Sequence, residues 1–491
     1  TVSALSILFF LHTSCTKELN QVPTSSISVS SFWKNPADAN AGLFGMYSLF
    51  RTQAASNLYI FGELRSEIIG PSPLGSAGYD IYFNQAMNSS NVSPSYRGNI
   101  TTWQNLYTVI NAANLLLKYV PGIEFPVQAD KDRVMAQAFA MRAYTYFVML
   151  KTWGDLVIRT SPMEAIDSSI HLSRSPKAQV MTLIKSDIDS ALARFPTDGI
   201  NTGRNTWSKP AVNALKADVY LWSGKLLGGG EADIRKALQA CADAETAQVS
   251  LLPVFANIFA YTNKGNAEIL MACRLQNLEV VTNIYQDMTI SPTGQLTPPN
   301  IDSIARVKLT GMAGFTYLMP TKLVTDQFTS DDQRTDASLV PVYLISPTGD
   351  STFYMTVPVK FRGATGFGAY DDIILYRLAD VLLMKAEAKN ALGEDPSEEI
   401  NRVRARAYGD NFNDHIFTSG TREENDAAIL KERLLELIFE GKRWWDLVRF
   451  EQAFNIVPSL QSQPGATHLL LWPISLTTLS VEPKVQQNPG Y

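Results

Sequence analysis

Three glutamates near the C-terminal end stand at a spacing that invites a chemical role. Glu432, Glu436 and Glu440 recur every fourth residue in ILKERLLELIFEGKRWWDLVRF, which on a helix lines them up on one face. Carboxylates stacked in this way repel one another unless cations intervene. Arg402, Arg404 and Arg406 on the preceding segment, with Lys442 and Arg443, can supply those cations. The leucines between the acids claim the helix for the core and leave no cleft. The expectation is therefore an ion-pair network between helices, not catalysis. A paired-carboxylate glycosidase needs two acids across a cleft, and they need not be close in sequence. Among 47 acidic residues no pair singles itself out.

Other chemistries find no footing. Gly228-Gly229-Gly230 is isolated, and Gly224-Lys225 lacks the upstream glycine spacing of a phosphate loop. There is no Gly-x-Ser-x-Gly. His12, His171, His415 and His468 are far apart, without metal spacing. Asp326, Asp331, Asp332 and Asp336 lack the glycine and spacing of a calcium loop, so Asp332 is expected to pair with Arg334. No cofactor and no metal are expected. Trp444 and Trp445 point about 100° apart on a helix; at least one is expected in the core and neither at a ligand. A net charge of -5 argues against nucleic acid, which selects basic faces.

Of the three cysteines, Cys241 and Cys273 lie in apolar segments and read as buried free thiols. Cys15 follows the apolar run Val2–Leu11, which has signal-peptide length and is too short to span a bilayer. His12-Thr13-Ser14-Cys15 reads as a lipoprotein processing site with Cys15 as the lipidated residue. The first residues read as starting inside that leader, and His12 stands where such sites usually carry leucine.

The elements that position these residues are helices. Asn35-Pro36 opens one. Lys131–Trp153, Ser175–Arg194, 208–225 and 231–246 follow, with alanines at 136, 138, 140, 143, 211, 214 and 217 that let neighbours approach closely. A helix is expected over 371–392 and a second over 396–408. A third should begin near Asn425. The helices pair as 131–153 with 175–194, 208–225 with 231–246, and 371–392 with 396–408. The fold class is thus mainly α: a tetratricopeptide-like helical-pair scaffold, an α-α superhelix, with large irregular loop insertions and a few short strands. The insertions lie at 62–100 and 250–370, where glycine and proline cluster.

The run YRLADVLLMKAEAKNALG, then INRVRARAYG, then ERLLELIFEGKRWWDLVRF, resembles the C-terminal half of the SusD/RagB family. The closing Leu-Trp-Pro-Ile and Gln-Asn-Pro-Gly-Tyr are similar to that family's endings, and the helices at 131–153 and 210–225 resemble its N-terminal half. The resemblance implies residues 1–15 as a signal-peptide remnant with the lipoprotein cysteine, 16–225 as an N-terminal helical region and 226–491 as the C-terminal region of one compact fold. It implies a non-catalytic lipoprotein on the outer-membrane surface. Such a protein captures oligosaccharides and passes them to a SusC-like TonB-dependent transporter. A RagB-like importer component that binds peptide or protein, and a helical glycoside hydrolase, are the alternatives.

A glycan binder needs flat aromatic rings for the apolar faces of sugars and polar groups for their edges. The insertions offer Tyr79, Tyr82, Asn84 and Tyr96 in the first, and Tyr285, Phe315, Tyr317 and Tyr354 in the second. These are the candidate ligand contacts. For each, burial against the scaffold is the competing reading.

Overall fold

Asn35 and Pro36 begin the first helix as their chemistry requires. The Asn35 side chain accepts from the amides of Ala37 and Asp38, and the Asp38 carboxylate accepts from the Asn35 amide at 3.0 Å. This is α1, Pro36–Ala54. The computed structural model describes residues 32–92, 103–164, 170–277, 283–294, 296–363 and 369–491. Cys15 and Tyr96 lie outside them.

After α1 come α2 (Gln104–Tyr119), α3 (Gln128–Trp153), α4 (Lys177–Arg194), α5 (Lys209–Leu226) and α6 (Gly230–Ala244). Each packs on the next up to α4, and α5 pairs with α6. The alanines explain the closeness. Ala136, Ala138, Ala140 and Ala143 on α3, and Ala211, Ala214 and Ala217 on α5, are fully buried. With only a methyl group at these positions, neighbouring helices reach short separations. From Tyr144 to Trp153, every residue of α3 is buried.

The expected helix over 371–392 is two elements. Ile373–Arg377 is a strand, β4, and the helix α7 begins at Leu378 and ends at Ala391. Strand β4 pairs antiparallel with β1 (Ile269–Cys273), and both are buried along their whole length. A continuous apolar run rich in β-branched and aromatic residues reads as either element until its partner is known. Here the partner is another continuous run, ILMAC. Between them lies β2 (Leu339–Ile345), which forms a hairpin with β3 (Ser351–Pro358).

Three more helices follow α7: α8 (Ser397–Tyr408), α9 (Arg422–Leu437) and α10 (Arg443–Arg449). Helix α7 packs on α6, α8 and α9, which ties the C-terminal elements to the earlier stack. Helix α9 starts ahead of Asn425 because Thr421 and Glu424 form a capping box. It stops at Leu437, and Phe439 and Gly441 then adopt positive φ (67° and 72°). Glu440 therefore lies in a turn and not on the helical face that carries Glu432 and Glu436. Trp444 and Trp445 are both buried.

The two irregular insertions meet. Ile69–Gly70 pairs with Met319–Pro320, and the Tyr79 hydroxyl donates to Asp287 at 2.5 Å. A small second core, including Ile290, Leu309, Met312, Val342 and Met355, lies beneath this region, and Leu74 from the first insertion packs against it. Two stretches more than 200 residues apart in sequence thus form one surface carried by the helical stack.

Candidate functional site

The acidic residues near the C-terminus form a buried ion lattice. Glu432 and Glu436 are 1 % and 0 % exposed. Arg404 and Arg406 bridge to them as expected, but the other cations come from elsewhere. Arg402 pairs with Glu245, Lys442 with Asp380 and Arg443 with Glu67. Their places are taken by Arg334, Arg377 and Lys360. The Asp332–Arg334 pair is present at 2.7 Å within the same lattice. These carboxylates are consumed in charge pairing. Among the described residues no group of three His, Cys, Asp or Glu side chains is placed to hold a metal ion. Cys241 and Cys273 are buried and free.

The structure divides the candidate aromatic residues. Tyr79, Tyr82 and Tyr285 are core residues, with 1 %, 7 % and 2 % exposure. Tyr82 stacks on Trp472 at 5.2 Å, and Tyr285 lies face to face with Phe361 at 3.8 Å. Burial pushes the Tyr285 phenol well above its usual pKa. These three rings hold the insertions onto the scaffold and offer no surface to a ligand. Tyr354 is half-buried against the second core. Asn84 is exposed at the end of a one-turn helix.

Phe315 and Tyr317 are different. Their rings stack, with centroids 5.7 Å apart and planes 13° from parallel. Phe315 is 40 % exposed and Tyr317 half-buried. Between them Thr316 is fully buried and has φ 46°. A β-branched residue in the left-handed region is a true outlier, at a cost on the order of 1–3 kcal/mol. Both its amide and its hydroxyl donate to the Thr289 carbonyl, at 2.9 and 2.8 Å. The Phe315 amide donates to Gln286 and that of Leu318 to Asp287. Those bonds hold the strained turn, and its effect is to put both rings together in one outward stack.

Gly314 is required for this turn. A Cβ there would stand 2.3 Å from the Thr289 carbonyl oxygen and 2.5 Å from that of Gln286. Gly314→Ala is therefore expected to loosen the ring pair more than the scaffold. Ligand affinity should fall several-fold while the global unfolding midpoint moves by no more than about 1–3 kcal/mol equivalent. Titration and denaturant melts on the same preparation check both halves.

Sequence reading overlooked a second concavity. Phe44, Tyr47 and Arg51 lie on α1, which reads as scaffold, yet with Arg274 they line a cleft of about 330 Å³. The available signal was an exposed aromatic and an arginine seven residues apart on one helix face.

A family model described as the SusD family matches residues 344–491. A second, described as starch-binding and associating with the outer membrane, matches 54–221. B. fragilis NanU is 32% identical, with a TM-score of 0.81 over 96% of this chain and 99% of that one. A SusD superfamily protein from Bacteroides vulgatus is 30% identical, with a TM-score of 0.78 over 94% of this chain and 100% of its own. The chain belongs to the SusD/RagB family. A laminarin-binding SusD-like protein shares the fold at 22% identity, with a TM-score of 0.75 over 94% of this chain and 100% of that one. The matched SusD segments hold most of the helical stack and much of the ion lattice. Phe315, Tyr317 and Arg274 fall between them, in the stretch that neither family model covers.

Proposed function

We propose that this SusD-family protein captures oligosaccharides at the outer-membrane surface, performs no chemistry on them, and hands them to a SusC-like TonB-dependent transporter. The carrying observation is the stacked Phe315–Tyr317 pair, held outward by a strained turn. Two near-parallel rings make an apolar strip suited to the C–H face of a sugar, and strain of this kind collects where a ligand is met. The starch-binding description of the family model over 54–221 and the laminarin-binding relative support a glycan as the ligand class. Cys15 is the proposed lipid attachment, with the residues before it as leader.

The Phe315→Ala/Tyr317→Ala double variant is expected to lose affinity for the bound oligosaccharide about tenfold or more, some 1.4 kcal/mol, while remaining folded, its melting temperature lowered only by the packing that the half-buried Tyr317 ring gives up. Isothermal titration after a glycan-panel screen measures this. Binding of peptides instead of glycans would move the chain to the RagB-like importer reading, and new reducing ends in the panel would make it a hydrolase. Purification from native membranes tests the transporter: a solitary protein there would count against delivery.

A further inference from the structure

The hairpin of β2 and β3 has one edge closed and one edge open. The Tyr343 amide donates to the Asp302 carboxylate at 2.8 Å, and the Tyr343 carbonyl accepts from the Asp302 amide at 2.8 Å. Two residues on, the Ile345 amide donates to the Asn300 carbonyl at 2.8 Å, and the Ile345 carbonyl accepts from the Asn300 side chain at 2.9 Å. Tyr343 and Ile345 therefore turn their backbone groups away from β3. Their direct partners across the hairpin are Phe353 and Ser351. In an antiparallel pair, opposed residues either both bond inward or both point outward. Phe353 and Ser351 thus aim their N–H and C=O groups out from the far edge of β3. Among the described residues no hydrogen bond meets them there, and Met319–Pro320, which packs on β3, sends it none.

Nothing in the sequence guards this edge. Monomeric proteins blunt an open strand with lysine, proline or a covering loop. From Leu339 to Pro358 the only charged residue is Asp350, and β3 carries no proline before its last residue. Residues 347–353 are all exposed, so the tip of the hairpin stands clear of the body. Phe353 is 56 % exposed and meets the exposed Tyr343 ring in a T-shaped contact at 5.8 Å. An apolar pair and a row of open backbone groups thus occupy the same short stretch.

We propose that this edge pairs antiparallel with the same edge of a second copy of the chain, about a two-fold axis at Thr352. Ser351 then faces the partner's Phe353, and Phe353 the partner's Ser351, so each open residue meets an open residue in the bonded register. The register favours a second copy because the open residues lie symmetrically about Thr352, which makes the edge complementary to itself. Ser351, Phe353 and Tyr343 share one face of the pleat. The two Phe353 residues become diagonal neighbours, about 7–8 Å apart and within reach of aromatic rings. The charge also permits self-pairing. Asp350 falls opposite the partner's Tyr354, which keeps the two Asp350 residues about 13 Å apart along the strands. The inference does not depend on the glycan-binding reading.

Disulfide trapping tests the pairing. Residues opposed in the non-bonded register have Cα atoms about 4.5 Å apart, within disulfide range. Thr352→Cys should therefore oxidise to a covalent dimer about tenfold faster than Thr348→Cys, an exposed control in the turn, as read on non-reducing gels. Cys241 and Cys273 are buried and do not compete. Adding Phe353→Lys to Thr352→Cys should return the rate to that of the control, because two lysines then meet across the axis. The melting temperature confirms that this variant is folded, and the comparison of positions 352 and 348 stands without it. Sedimentation velocity of the wild type should show the mass rising above the monomer at high concentration, as a small interface requires. Equal oxidation at positions 352 and 348, or dimers that survive Phe353→Lys in a folded protein, overturns the proposal. So does a wild type that stays monomeric while Phe353→Lys loses a co-purifying membrane protein, which assigns the edge to that partner.

Discussion

Arg377→Leu is expected to destabilise the protein by about 3–5 kcal/mol, enough to leave much of it unfolded or insoluble. The Arg377 side chain is fully buried. Its Nη1 donates to Glu268 at 2.8 Å and to Glu436 at 2.6 Å. Its Nε and Nη2 both reach Glu440, at 2.8 and 2.7 Å, and Nη2 also reaches the Glu436 carbonyl. Leucine fills the volume but leaves three buried carboxylates short of a cation. Uncompensated buried charge is the costly case, whatever the intact pair contributes. Lysine keeps the charge yet cannot reproduce the fork that serves three acids at once. Arg377→Lys should therefore recover only part of the loss. Arg402→Leu is the matched control. It removes a half-exposed pair with Glu245, and such pairs contribute about 0–1 kcal/mol. Denaturant midpoints for the three variants decide the matter. An Arg377→Leu protein within about 1 kcal/mol of wild type would show that the lattice is not what holds the C-terminal helices together.

This lattice also marks how far the sequence could be read. Local signals were sufficient wherever the chain speaks to its near neighbours. Asn35-Pro36 starts α1 where it should, and the alanines of α3 and α5 are the buried contact residues. The first two helix pairs form as expected, and in the third the first helix begins only at Leu378. Where a residue's partner lies far along the chain, the sequence carries no address for it. Ile373–Arg377 is a strand because Ile269–Cys273 lies beside it, and a single apolar run cannot announce that. Arg402 and Arg404 lie two residues apart on one helix, yet one turns to Glu245 and the other to Glu432. The candidate site suffers most. Tyr79, Tyr82 and Tyr285 have the residue type and loop position expected of ligand contacts. Their burial depends on Trp472, Asp287 and Phe361, all from distant segments. Phe315 stays exposed and Tyr317 half-buried around one positive φ at Thr316, which threonine gives no reason to expect.

The same buried charges predict steep acid lability. Burial works to raise the pKa of Glu387, but its pairing with Arg449 and Lys225 outweighs this and brings it down to about 2. Glu436 is driven low in the same manner by Arg406, Arg377 and Arg334, and Glu440 by Arg377 and Lys360, against the opposing effect of burial. A carboxylate whose pKa is lower in the folded than in the unfolded chain contributes stability that is fully present above the unfolded value. That stability is lost as pH falls through the folded one. For Glu387 the window runs from about pH 4.5 down to about 2, worth on the order of 3 kcal/mol. Glu436 and Glu440 add to the same limb. Glu63 acts with the opposite sign. Burial lifts it to about 8, although the amides of Phe439, Arg443 and Lys442 pull the other way. Its contribution is complete below about pH 4.5 and is lost as pH rises through about 8. Urea unfolding across pH should thus show stability collapsing below about pH 4.5 and drifting gently downward from there toward pH 8. Burial likewise lifts Asp371 to about 7, so Glu63→Gln should make the second limb shallower without abolishing it and leave the first unchanged. A wild-type profile that stays level between about pH 4.5 and 3 would mean that the buried glutamates gain nothing from their arginines.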